Sequence, residues 1–125
     1  DGSVCGIYSV ERNGTDARVI SNNPRDVPTD TYDSDIVFMS PKAGGWDIYM
    51  TYGDNSTTIV PLTSAAGNNG AATVSPDGQY LAFLTDREGT WSIYVMNRTG
   101  SSPRKLIDLD GTPGDLTQQR MSWGP

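Results

Sequence analysis

The sequence has no histidine and only one cysteine, Cys5. Lacking histidine, these 125 residues cannot form a Ser-His-Asp or Cys-His catalytic system or a histidine-ligated metal site. A lone cysteine excludes an internal disulfide and a cysteine-cluster metal site. Cys5 is expected to be a small buried residue. No apolar run approaches the ~20 residues of a membrane-spanning helix, so no membrane insertion is expected. Basic residues are outnumbered, 9 against 15 acidic, for a net charge of −6. That balance repels phosphate backbones and anionic lipid surfaces and argues against nucleic-acid binding. No stretch of helical period exceeds one turn.

What is abundant is turn chemistry, with 14 Gly and 8 Pro among short β-branched and aromatic runs. Those runs repeat. Gly6-Ile7-Tyr8, Asp47-Ile48-Tyr49 and Ser92-Ile93-Tyr94 stand 41 and then 45 residues apart. Upstream of the last two lie Ile36-Val37-Phe38-Met39-Ser40 and Leu81-Ala82-Phe83-Leu84-Thr85, again 45 apart. A Gly-containing turn joins each run to its Ile-Tyr pair, with Trp46 and Trp91 at equivalent places. Four short strands per unit at a period of ~40–45 residues is the pattern of β-propeller blades. The spacing predicts strands near 36–40, 47–52, 58–63, 72–75, 80–85, 92–97 and 103–107, with a further pair near 4–10 and 16–21. Alternation predicts Phe38, Ile48, Tyr49, Leu81, Phe83, Ile93 and Val95 as most of the interblade core.

Val74-Ser75-Pro76-Asp77-Gly78-Gln79-Tyr80-Leu81-Ala82-Phe83, followed by Thr85-Asp86-Arg87-Glu88-Gly89, Trp91, Ile93-Tyr94-Val95-Met96-Asn97 and Gly100, resembles the blade repeat of TolB-like β-propellers. The preceding unit is a looser copy, with Tyr32-Asp33-Ser34 where the Ser-Pro-Asp-Gly turn would stand. The resemblance implies an all-β chain of four-stranded antiparallel blades in an incomplete ring. The divisions would be 1–26 (a half blade), 27–70 and 71–121 (two blades), and 122–125 (the start of another). Joined head to tail, Pro125 and Asp1-Gly2 recreate the blade-opening turn. In that register Gly6–Val10 becomes a second strand and Glu11-Arg12-Asn13-Gly14 matches Asp86-Arg87-Glu88-Gly89; both registers stay open. Beginning at Asp1, the chain reads as processed, trimmed or excised from something longer.

The motif residues read first as structure. Asp77-Gly78 is a tight-turn dipeptide. Trp46 and Trp91 suit packing between blades, or exposure at a binding face. Asp86 and Arg87 suit solvation, pairing with each other or with an adjacent blade, or a ligand contact. These four residues are the candidate binding set. Carboxylates at Asp30, Asp33 and Asp35, and at Asp108 and Asp110, lack EF-hand spacing but could share calcium as loop oxygens. No cofactor is called for. Gly67-Asn68-Asn69-Gly70 lacks the Lys-Ser/Thr of a phosphate loop and reads as a linker. Three sequons begin at Asn13, Asn55 and Asn97, in turns where Asn and Thr are common for backbone reasons.

Three functions compete. The first is a non-enzymatic binding or scaffold propeller outside the cytoplasm. The second is the propeller segment of a larger prolyl-oligopeptidase-like hydrolase. The third is a glycan-binding propeller using Trp46, Tyr32, Tyr52 and Tyr80. About ten strands amount to 2.5 blades, where closed rings need roughly 4–8. The uncovered faces predict self-association, first as a homodimer, or a protein partner, or a place in a longer chain.

Overall fold

The computed structural model describes residues 7–10, 14, 17–21, 23–33, 35–52, 59–64 and 67–124. Cys5, the sequons at Asn13 and Asn55, and the Asp1-Gly2 and Glu11-Arg12-Asn13 turns of the joined-termini register lie outside them. Among the described residues, ten strands form three antiparallel sheets. β1 (Ile7–Val10) and β2 (Ala17–Ser21) make a hairpin. β3 (Val27–Tyr32), β4 (Asp35–Lys42), β5 (Gly45–Thr51) and β6 (Ile59–Pro61) form one four-stranded meander. β7 (Asn69–Val74), β8 (Tyr80–Thr85), β9 (Ser92–Asn97) and β10 (Arg104–Asp108) form a second. The described helical structure is one 3₁₀ turn, Leu116–Gln118.

The meanders follow from where the turn residues stand. β4 runs into β5 through Ala43 and Gly44, and its pairing continues to Pro41↔Trp46 and Lys42↔Gly45. The turn is therefore tighter than the Pro41–Trp46 loop read from the sequence. Pro41 is tolerated because it lies beyond Met39, the last partner of β3. β3 carries Pro28 and Asp30, both depleted in strands, and is the element that periodicity alone does not place. Between β7 and β8, Gly78 has φ +75° and donates to the Ser75 carbonyl at 2.8 Å. A Cβ there would fall 2.3 Å from the Tyr32 ring, so glycine is required by both conformation and packing. Tyr32 of the looser copy thus nests on the turn of the stricter one.

One face of β4 and β5 packs against the opposing face of β8 and β9. Val37, Ile48, Met50 and Leu62 meet Ala72, Val74, Leu81, Phe83, Tyr94 and Met96. On the other side of the first meander, Phe38 packs with Ile7 and Ile20 of the hairpin. Strand alternation does put Ile93 and Val95 opposite Tyr94, since Phe83 pairs with Tyr94 and Leu84 with Ile93. Three expected core residues are corrected by this: Val95 is buried, but on the face away from the interblade cluster. Ile93 and Tyr49 are only half-buried, and Tyr94 takes the interblade place beside Phe83. Met39, Met50 and Met96 are buried as well, each two residues along its strand from Val37, Ile48 or Tyr94 and on the same inward face.

Phe83 is fully buried, so Phe83→Ala should cost about 3–5 kcal/mol in urea unfolding. Leu106→Ala, at a residue 52% exposed, should stay within about 0.5 kcal/mol. Asp77 is held below the ordinary carboxylate range, first by the Ser75 hydroxyl and then by the Gln79 N–H. With its folded value depressed, its support of the turn is present above the unfolded value and is lost as pH falls through the folded one. Carboxyl-detected NMR titration should find a low midpoint for Asp77, and Ser75→Ala should return it towards the ordinary value.

Candidate functional site

The candidate residues gather at one end of the two meanders, where β4 turns into β5 and β8 into β9. Trp46 is the second residue of β5, while Asp86, Arg87 and Trp91 lie in the β8–β9 loop. Asp86 accepts from Asn68, both from its backbone N–H at 2.6 Å and from its Nδ2 at 3.0 Å. Arg87 lies over the Tyr94 ring at 4.7 Å and the Phe83 ring at 5.2 Å. It donates to Thr85 Oγ1 at 3.3 Å and to Asn69 Oδ1 at 3.1 Å. Asp86 and Arg87 therefore do not pair with each other; each is held by the strand or linker beside it. Trp46 and Trp91 are half-buried against Met39, Leu84 and Leu116. Arg25 stacks over Trp46 at 5.6 Å.

A buried polar network unread from the sequence fixes this end. Asn69 is fully buried and opens β7. It donates to Asp47 Oδ1 at 3.1 Å on the neighbouring meander, and its Oδ1 accepts from Thr85 at 2.7 Å. Asp47 Oδ1 also accepts from Thr63 Oγ1 and from Lys42 Nζ, each at 2.8 Å. A buried carboxylate is sustainable only when so partnered. The sequence signal was present, an acid between Trp46 and Ile48 and paired asparagines in a Gly-rich linker, but nothing in it says that they meet.

Asp30, further along β3, accepts from Thr73 Oγ1 at 2.9 Å and from the Val74 N–H at 2.7 Å. Asp35, at the far end, pairs with Arg98, whose guanidinium stacks on Tyr32 at 5.2 Å. Asp33 occupies the exposed β3–β4 turn at φ +50°. The three carboxylates that could have shared calcium thus take separate partners or positions. Among the described residues no three His, Cys, Asp or Glu residues converge. At the other cluster, Asp108 accepts from Ser92 at 2.9 Å and pairs with Lys105, while Asp110 is exposed. The four rings of the glycan expectation are dispersed. Trp46 sits at the rim, Tyr32 and Tyr52 pack on the interblade core, and Tyr80 is exposed.

Among the described residues, pockets open around this frame. One of about 220 Å³ lies between the meanders at Leu62, Arg87, Met96 and Pro103. Another, of about 350 Å³, separates Leu84, Ile93 and Leu109 from Gln119, Arg120 and Met121 of the C-terminal segment. The third, of about 270 Å³, lies beside Trp91 and Asp86. Asn69→Ala should leave buried partners unsatisfied and cost about 1–3 kcal/mol in chemical denaturation.

No protein-family model matches the chain. Over 81 residues it is 35% identical to a protein of Bacillus subtilis (strain 168) named as the uncharacterized peptidase YuxL, covering 64% of this chain and 10% of that protein. A solved structure assigned to TolB in Agrobacterium tumefaciens superposes with a TM-score of 0.71 at 24% identity, over 83% of this chain and 38% of the other. TolB from Acinetobacter baumannii superposes with a TM-score of 0.67 at 20% identity, over 80% and 26%. The chain thus spans well under half the length of each of these relatives. In fold, it is built of TolB-like β-propeller blades.

Proposed function

We propose that the chain is a non-catalytic binding or scaffold module whose blade faces dock a protein, either a second copy of itself or further blades of a longer polypeptide. The observation that carries this reading is the far side of the second meander. Its Leu84 and Ile93 are covered by no blade but by the rim residues Met39, Trp46 and Trp91 and by Leu109, Leu116 and Met121 of the C-terminal segment, with a gap of about 350 Å³ left beside that segment. Ile107, the cross-strand partner of Ile93, stays 56% exposed. The equivalent side of the first meander is filled by a whole blade. A net charge of −6 favours a neutral or basic partner surface. The absence of histidine from the sequence supports a non-catalytic role. The peptidase name belongs to a protein of which this chain matches a tenth. Likeness to TolB-like propellers supports a place outside the cytoplasm; no described helix is long and apolar enough to cross a membrane.

Sedimentation equilibrium of the isolated chain should give a mass above 13.5 kDa, with an interface burying more than ~1,600 Å². Ile107→Glu should weaken that association without unfolding the chain. A stable, well-folded monomer at all concentrations would overturn the reading.

A further inference from the structure

The two tryptophans occupy equivalent places, yet their surroundings differ. Arg25, two residues before β3, covers Trp46 at 5.6 Å. Two residues before β7 stands Gly67, at φ +91°, where a Cβ would be strained and would fall 2.4 Å from Asp86 Oδ1, displacing that carboxylate. Among the described residues no cation lies over Trp91. Trp91 instead lines a pocket of about 270 Å³ shared with Asp86, Thr90, Leu109 and Thr112. Gly89 and Gly111 complete the wall, and a Cβ at either would meet nothing within 4 Å, so a ligand can approach their backbone.

We propose that this pocket binds a neutral sugar ring. The proposal rests on the binding-module reading and gives that module a second kind of ligand. The volume lies below the roughly 300–1,000 Å³ of sites for drug-sized ligands, which confines the occupant to one small ring. An indole face offers apolar area to the C–H face of a pyranose. A carboxylate has about four acceptor positions, and Asn68 uses two of those on Asp86, leaving two for ring hydroxyls. The threonine hydroxyls donate or accept as the ligand requires. No Lys or Arg lines the pocket, which disfavours anions. A single aromatic ring is less than the cage that quaternary ammonium groups use.

The test is NMR titration of the whole chain with methyl glycosides of glucose, galactose, mannose and N-acetylglucosamine. The readout is the indole N–H of each tryptophan, with Trp91 assigned through Trp91→Phe. At least one glycoside should shift Trp91 saturably and leave Trp46 unmoved. Thr112→Val, at an exposed site, should weaken that binding about three- to tenfold, the worth of one hydrogen bond. No saturable shift with any of the four, binding unchanged in Thr112→Val, or saturation by choline instead would each overturn the proposal. None of these outcomes bears on association through the blade faces, which sedimentation reads separately.

Discussion

The stacking of Leu81, Phe83, Tyr94 and Met96 on Val37, Ile48 and Met50 is the contact from which the remaining structure follows. A four-stranded meander has two faces and can bury neither by itself. Once the faces are joined, Phe83 and Leu81 are withdrawn from water completely, and the backbone groups of β4, β5, β8 and β9 are satisfied within the sheets. Apolar contact alone sets no unique rotation between two sheets. Polar contacts at several levels supply it. Asn69 ties β7 to Asp47 at one end, Arg98 ties the β9–β10 turn to Asp35 at the other, and Asp30 reaches Thr73 and Val74 between them. Each costs desolvation that only its designated partner offsets, so a sheet rotated or slipped by a residue would strand them.

That arrangement places the variable chemistry at the rim. With Asp47, Asn69, Thr63 and Thr85 committed to one another, the surface beside them is held by a rigid base. Arg87 shows how such a residue is recruited. It extends from a loop, yet two aromatic faces and two hydrogen bonds hold it in the seam rather than in solvent. Trp91 and Trp46 share a backbone position and differ in what stands two residues before each blade, arginine in one case and glycine in the other. Repetition builds equivalent sites, and single substitutions in the linkers then distinguish them.

The C-terminal segment bears on the open end of the stack. Leu109, Leu116 and Met121 fold back on Leu84 and Ile93, and Trp123 donates from Nε1 to the Thr73 carbonyl at 3.2 Å. Trp123 therefore anchors the C-terminal segment on β7, an edge strand of its meander. The covering is thin, however. β10 has every residue exposed, and Leu106 and Ile107 face water.

The sequence by itself determined the order and spacing of every strand but β3, because each unit carries its own turn chemistry: Asp77-Gly78, Gly44-Gly45, Gly89, and an Ile-Tyr strand after Trp46 and after Trp91. It also determined the fold class, since a short run of β-branched and aromatic residues at a 45-residue period admits few alternatives. β3 escaped because Pro28 and Asp30 are poor strand formers that pairing with β4 overrides. The buried methionines keep the strand alternation, each two residues after Val37, Ile48 or Tyr94, but escaped because the Ile-Tyr pairs drew the core reading to other positions. Only the tertiary structure decided which polar residues meet. Asp47 and Asn69 are 22 positions apart, and Arg98 and Asp35 are 63. Such pairs are chosen by how one sheet is rotated on the next, and that rotation depends on the summed shape of two faces, which no local pattern encodes.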